Sequence, residues 1–426
     1  MLARNKEELA PCPDHVAVFG GGRWARVLTE VLCGIVPEHV RISVHSPHNA
    51  KAMSIWVSER GFKQRIDVSS DSPEFSSGKT SAVIVVNAAR DHEKAIEWAL
   101  SAGVPVLVEK PLALNFATSQ RLADLACIQK IYLAAAHVFL FARYVENFSK
   151  HIVCGDNIKS VRVQWMDPLS ESRYGEVKSY DPGLTVYADW LPHVISILGA
   201  LSIGPIQTCE KVEFLRGGSH LEIGLRAGNI PCNIQLVRNG HCRQRLIEVS
   251  TQSNTVALDF SKEPGTIISD STIQSSDIDW DIKPKPVSRM LSAFLKGAAG
   301  GIRDHRLDIE IGLRASYFID QISLLYQSSL SPWLSNKLFR IQDGDDTDLR
   351  YALNEIIHLE DPCSSIPSEK KIFYVYQYIK DHAASGLNTD LLFERPVDFV
   401  KLILKQGKLD GFAKTAQLPL AFSVTH

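Results

Sequence analysis

The sequence predicts an α/β protein: a doubly wound parallel sheet first, then an α+β part on an open, mostly antiparallel sheet, and a small helical C-terminal extension. Three observations carry this reading. Up to about residue 140, short apolar runs alternate with segments of helical period. After Gly155 the apolar residues fall at every second position instead. A glycine turn, Gly20-Gly-Gly22-Arg23-Trp24-Ala25, joins the first apolar run to the first helical segment.

The candidate strands of the first part are residues 15–20, 40–45, 81–87, 104–109 and 132–139. They are rich in Val, Ile and Leu with little polar alternation, as expected of strands buried on both faces of a parallel sheet. Helical segments such as 92–102 and 116–130 lie between them, which implies right-handed crossovers. In the second part Val161, Val163 and Trp165 alternate with Arg162 and Gln164. Leu221, Ile223 and Leu225, then Ile234 and Leu236, then Val256, Leu258 and Phe260 continue the pattern. Period two means one buried and one wet face. Asn239-Gly240 between two such runs predicts a hairpin. Helices are expected over 287–299 and 307–326, an acidic linker over 343–348, and short helices over 349–358, 371–382 and 397–405. The resulting division is a dinucleotide-binding domain over 1–145, a substrate-binding and oligomerisation domain over 146–340, and an extension over 341–426.

Composition bounds the function. The chain has 426 residues, 45% hydrophobic and 22% charged, long enough for two or three domains at about 150 residues each. Its 46 basic and 48 acidic residues give a net charge of -2, which argues against nucleic acid as the main ligand. No apolar stretch approaches the roughly 20 residues of a membrane helix. The polar first fifteen residues, with Pro11 and Pro13, do not read as a signal peptide. Eight cysteines form no Cys-x-x-Cys pair and no zinc spacing. Several, Cys127 among them, fall in apolar runs, so buried reduced thiols, a cytoplasmic protein and no metal site are expected.

The glycine turn fits G-x-G-x-x-A after a strand and at a helix start, the Rossmann arrangement for a dinucleotide. Gly20 allows the tight turn, Gly22 lets the backbone approach a pyrophosphate, and Ala25 lets the helix pack on the strand. The end of the second strand reads Val44-His45-Ser46-Pro47-His48-Asn49, with no carboxylate to repel a 2′-phosphate. Ser46, His48, Lys51 and Arg23 can supply donors or charge, which favours NADP, with NAD as the alternative.

The segment from Ser81 through Asn87, Asp91-His92 and Gly103 to Glu109-Lys110-Pro111 resembles the glucose–fructose oxidoreductase / inositol dehydrogenase (Gfo/Idh/MocA) family. That family carries Glu-Lys-Pro after the fifth strand of a Rossmann domain. The resemblance spans roughly residues 15–330. It implies a nicotinamide-dependent oxidoreductase with Lys110 beside the nicotinamide, and with Glu109, His92 and Trp24 framing the cofactor. Asn87-Ala88 stands where a Thr-Pro type of pair is usual. Tyr187-Ala-Asp189-Trp-Leu-Pro-His193 resembles the family's Asp-x-Gly-x-His element, with Leu191 in place of the glycine and Ser196 where a second Asp often follows. On that resemblance His193 is the general acid/base and Asp189 orients it or binds substrate, Tyr187 being a neighbouring substrate contact. Arg143-Tyr144 matches a position of substrate or cofactor contact, with domain packing equally open to it. The loop 166–186, with Tyr174, Gly175, Tyr180 and Gly183, is long enough to close over a cleft.

The expected function is NADP-dependent hydride transfer, as a reductase, to a C=O or C=N group of a small polar metabolite such as a sugar or cyclitol. The alternative is a cofactor-binding regulator or scaffold whose C-terminal helices recruit a partner. A homodimer or homotetramer is expected, with no membrane and no nucleic-acid partner.

Overall fold

The computed structural model describes residues 12–342, apart from 74, 76–79, 153–156, 169–170, 174–175, 178–183, 202, 216–219 and 270–271. The acidic linker, the three short C-terminal helices and the loop residues Tyr174, Gly175, Tyr180 and Gly183 lie outside the described residues.

The first sheet contains β1 (His15–Phe19), β2 (Arg41–His45), β3 (Ile66–Ser69), β4 (Ser81–Val85), β5 (Val106–Glu109) and β6 (Leu133–Ala136). All are parallel, in the order β3-β2-β1-β4-β5-β6. Every residue of β4 and β5 is buried, which is why their sequences show no polar alternation. Helices α1 (Arg23–Ile35), α2 (Ala50–Glu59), α3 (His92–Ser101) and α4 (Phe116–Gln129) make the crossovers. In α1, Ala25, Leu28, Thr29 and Leu32 recur at helical spacing and are buried against the sheet. The strand order reverses between β1 and β4, and that switch point places a crevice at the carboxyl ends of both strands. Two expectations change here. β3 was not foreseen, because its IDVS sequence is a short edge strand with one buried residue. The strand expected over 132–139 ends at Ala136, and Val138–Phe141 form a short 3-10 turn instead.

After α5 (Arg143–His151) come β7 (Ser160–Pro168), the small pair β8 (Ser172–Arg173) and β9 (Glu176–Val177), and α6 (Val186–Ala200). Then follow β10 (Thr208–Leu215), β11 (His220–Ala227), β12 (Ile230–Gly240), β13 (Gln244–Ser250), β14 (Thr255–Asp259), β15 (Thr266–Ser269) and β16 (Thr272–Ser275). The second sheet runs β10-β11-β12-β7-β13-β14-β15-β16 and is antiparallel except where β12 meets β7. Val161, Val163, Leu221, Ile223, Ile234 and Leu236 point into one core with α6, as period two predicts.

The hairpin expected at Asn239-Gly240 does not form. β7 lies between β12 and β13, pairing with both. Two features explain this. Asp167, fully buried at the end of β7, is bonded by Arg245 on β13. A Cβ at Gly240 would sit 2.5 Å from Met166 Cγ, so this glycine marks the close crossing of β7 rather than a turn.

Helix α7 (Pro286–Ala298) returns to the first sheet, where Met290, Leu291 and Phe294 join its core. Helix α8 (Ile309–Gln342) joins both halves. Leu313 belongs to the core of the first sheet, Phe318, Ile319 and Ile322 to that of the second. Ser316 bonds Ser119 at 2.8 Å, and the Asp320 carboxylate accepts the amide of Phe116 at 2.9 Å at the start of α4. The helix runs to Gln342, beyond the expected end at 326.

No helix among the described residues is long and apolar enough to cross a membrane. The cysteines correct one expectation: among the described residues Cys232 is buried, whereas Cys127 and Cys242 are exposed. Cys127 falls on the outer side of α4, where an apolar neighbourhood in sequence is not one in space.

Candidate active site

A cleft of about 1810 Å³ lies at the switch point, between the two halves. Its floor is the glycine turn. Gly20 has φ +137°, and a Cβ there would stand 2.7 Å from the Val86 carbonyl oxygen. A Cβ at Gly21 would stand 2.8 Å from Ser46 Oγ, whereas Gly22, at the start of α1, faces open space. No acidic side chain occupies the first turn of α1 and no side chain caps it. Its free amides and partial positive charge therefore face the cleft, as a pyrophosphate requires.

At the end of β2, Ser46 and His48 line the cleft; Ser46 Oγ accepts the amide of Asn49 at 3.2 Å. Lys51 is exposed on α2 and does not line it, which corrects its assignment to the cofactor. Asp71, from the segment after β3, does line it, a position hidden from sequence reading because β3 carries only a weak strand pattern. A buried chain holds that segment. His15 Nε2 meets Ser43 Oγ at 2.7 Å, Ser43 Oγ meets His45 Nε2 at 2.8 Å, and His45 Nδ1 donates to the Asp71 carbonyl at 2.6 Å. Burial holds both imidazoles below their ordinary value, His15 at about 4. One proton order satisfies two neutral rings: His15 donates to Ser43, and Ser43 donates to His45.

The Glu-Lys-Pro turn follows β5, and its Lys110–Pro111 bond is cis. Burial raises the Glu109 carboxyl above its ordinary value, against the opposing effects of a Trp24 hydrogen bond and the Lys110 charge. His92 is buried, with Nδ1 2.8 Å from the Pro111 carbonyl and Nε2 3.2 Å from that of Asn87. A neutral ring donates to only one of them, which we assign to the shorter contact. His92 thus ties the lysine turn to the start of α3. Asn87 Oδ1, also lining the cleft, is buried with no hydrogen-bond partner.

Across the cleft, Thr185 caps α6 by accepting the amide of Ala188. Pro192 lies inside this helix and has no N–H for the Ala188 carbonyl, so the turn is loosened there. Lys110 enters beside it. Its Nζ donates to the Asp189 carbonyl at 2.8 Å and to Asp189 Oδ1 at 2.6 Å. The other carboxylate oxygen accepts from Arg238 Nη2 at 3.0 Å. Asp189 therefore holds the lysine, and the expectation that it orients His193 is replaced by this pairing.

His193 lies one turn further along α6. Its ring stacks on Trp165 at 5.7 Å and 15°, and meets the edge of Phe139 at 4.9 Å. Burial first, then the Lys110 charge, lower its pKa well below the ordinary imidazole value, with Asp189 opposing. The ring is neutral at pH 7. Lys110, Asp189 and His193 all line the cleft, so amine and imidazole from distant stretches of chain converge there.

Two expected substrate contacts lie elsewhere. Tyr187 is buried on the opposite side of α6, against Tyr326 and away from the cleft lining. Arg143 pairs with the buried Asp277 at 3.0 Å and donates to the Pro284 carbonyl at 3.0 Å, so of its two open roles it takes packing. Tyr144 beside it does reach the cleft. Arg238 and Arg245 escaped sequence reading because alternating strand positions give no hint of which polar residue points inward. Among the described residues no cluster of His, Cys, Asp and Glu could hold a metal ion.

A Rossmann half with a glycine turn, facing a second half whose helix α6 contributes carboxylate and imidazole, defines a dinucleotide-dependent oxidoreductase architecture. Residues 15–137 match the family model described as "Oxidoreductase family, NAD-binding Rossmann fold". A comparison with curated protein sequences gives no match. Among solved structures, UDP-N-acetylglucosamine 3-dehydrogenase from Acidithiobacillus ferrooxidans superposes with TM-score 0.60 at 17% identity, over 74% of this chain and 98% of that one. A 3-ketoreductase from Actinomadura kijaniata, in complex with TDP-benzene and NADP, gives 0.56 at 16%, over 72% and 96%. Biliverdin reductase from Synechocystis, in complex with biliverdin and NADP+, gives 0.55 at 18%, over 74% and 98%.

Proposed function

We propose that this chain is an NADP-dependent reductase that transfers hydride to a C=O or C=N group of a small polar metabolite. One observation carries the reading: Lys110 of the nucleotide-binding half is bonded to Asp189 of the other half at 2.6 Å, in the cleft that also holds the glycine turn and a neutral His193. The residues fit a dinucleotide. Gly20, Gly21 and Gly22 leave a cradle that side chains would fill, and the orphaned Asn87 Oδ1 offers an acceptor to the nicotinamide end. When bound, the cofactor supplies a hydride at its nicotinamide ring.

The chain's own groups do the rest. Lys110 directs an ammonium N–H at the substrate oxygen or nitrogen, stabilises the charge that develops there and hands over a proton. His193, neutral, binds the same group through its ring. Phe139 and Trp165 keep water from that side. Preference for NADP is supported by Arg23, Ser46 and His48 lining the cleft, with Asp71 as the acidic neighbour that opposes it. The relatives named above act on sugar-nucleotide, keto or tetrapyrrole substrates, and a sugar or cyclitol remains the first class to try here.

The scaffold reading rests on Leu191, Ser196 and the C-terminal extension, which lies outside the described residues. Leu191 is fully buried and Ser196 bonds the His193 carbonyl at 2.8 Å; neither lines the cleft, so these departures leave the site intact. In our reading residues 1–145 bind cofactor, 146–340 bind substrate and build a homodimer or homotetramer, and 341–426 recruit a partner or complete the oligomer, in the cytoplasm. Light scattering on full-length and 1–342 chains tests the oligomer. The function is tested by NADPH consumption over a substrate panel, with Lys110→Met alongside. A variant that turns over as fast as the parent removes the mechanism.

A further inference from the structure

His15 on β1 and Ser43 and His45 on β2 are all buried. They bond one another on one face of the sheet, while Ile42 and Val44 turn to the other and join the core there. Aromatic rings cover them: Phe75 meets His15 edge-on at 5.3 Å, and Phe19 meets His45 at 5.8 Å. Apolar side chains would fill such a layer without the cost of burying three polar groups. What they could not supply is the N–H at the end of the chain, which His45 gives to the Asp71 carbonyl at 2.6 Å.

The segment held in this way adjoins the place of an adenosine ribose. β3 pairs with β2, Ser69 opposite His45, and the Ser46 amide donates to the Ser69 carbonyl at 3.0 Å. The end of β3 therefore lies beside Ser46 and His48, where a Rossmann fold receives that ribose. Two residues on, Asp71 is fixed at both backbone atoms, its carbonyl by His45 and its amide by Ser69 Oγ at 2.9 Å. Asp71 is exposed and lines the cleft. A carboxylate there accepts from a ribose 2′-hydroxyl and repels a 2′-phosphate.

We propose that Asp71 reads the adenosine ribose, accepting its 2′-hydroxyl and so admitting NADH beside NADPH, and that His45, at the end of the buried chain, is the residue that positions it. This role rests on the oxidoreductase reading, but binding alone tests it. Dissociation constants of NADH and NADPH are measured on the full chain by nicotinamide fluorescence at low salt, with no substrate. The parent should bind both. Asp71→Ala should weaken NADH and strengthen NADPH, moving their ratio roughly tenfold, and high salt should shrink the NADPH part of that change. His45→Phe keeps a ring but has no donor, and should move the ratio the same way. Added to Asp71→Ala it should do nothing more, since the residue it positions is gone. His45→Asn carries an amide N–H near the place of Nδ1 and should keep most of the parent ratio.

A ratio that Asp71→Ala leaves unmoved overturns the assignment. So does a His45→Phe effect that persists in full without Asp71, or a His45→Asn protein no closer to the parent than His45→Phe. If His45→Phe does not fold, Ser69→Ala takes its place, releasing the Asp71 amide from a half-buried position. It must move the ratio, and the movement must vanish in the Asp71→Ala background; any other result overturns the positioning. A parent that binds neither nucleotide removes the oxidoreductase reading and this role with it. A parent that binds both, with a ratio indifferent to Asp71, removes the role alone.

Discussion

His137 gives the sharpest stability prediction. It follows β6, is 1% exposed, lies near the Lys110 charge, and neither of its ring nitrogens has a hydrogen-bond partner among the described residues. Burial first, and Lys110 second, lower its pKa from 6.5 to about 4. Lys110 and His193 are the ionisable neighbours that bear on it. An unfolded chain takes up this proton near the ordinary value, the folded one only well below it. Unfolding therefore binds a proton in that window, and stability falls as pH falls. Above the ordinary value both states are neutral and the contribution is complete. At 1.36 kcal/mol per pH unit, this one group costs the fold about 2 kcal/mol between pH 7 and pH 5. The perturbation is His137→Gln, which keeps a donor but does not titrate. Urea unfolding of parent and variant at both pH values measures it. His15 titrates alike in both proteins and cancels in the difference. The variant should lose about 2 kcal/mol less than the parent between the two pH values; slopes equal within about 0.5 kcal/mol would refute the reasoning.

Three further outcomes follow from the same structure. Gly20→Ala places a Cβ 2.7 Å from the Val86 carbonyl at a φ of +137°, so thermal unfolding should show a loss of about 1–3 kcal/mol and fluorescence titration should show no NADPH binding. His48→Asp puts a carboxylate at the end of β2, and the ratio of kcat/KM for NADPH over NADH should drop roughly tenfold or more; an unmoved ratio would place specificity elsewhere, with Asp71 the first suspect. Asp167→Ala leaves the guanidinium of Arg245 buried without its carboxylate, and chemical denaturation should register a loss of about 3–5 kcal/mol.

Local periodicity and short motifs made most of the first half legible. Continuous apolar runs named five parallel strands, and the glycine turn and Glu-Lys-Pro named the residues on one wall of the cleft. Alternation in the second half showed which face of each strand is buried. Neither kind of signal says which strands are neighbours, so the Asn-Gly pair read as a hairpin although β7 runs between the strands it joins.

Sequence by itself therefore indicated most secondary-structure types and the glycine turn, which rest on spacing within a few residues, and pointed to the trio Lys110, Asp189 and His193 through resemblance to a family. Only the tertiary structure decided how the trio is wired. Asp189 turned from His193 to Lys110, Tyr187 faced the core, Arg143 became a clamp, and Arg238 arrived from a strand 49 residues beyond Asp189. These outcomes depend on which way side chains point once two sheets pack, and on how buried charges find partners across that packing. Such long-range pairings leave no periodic trace along the chain.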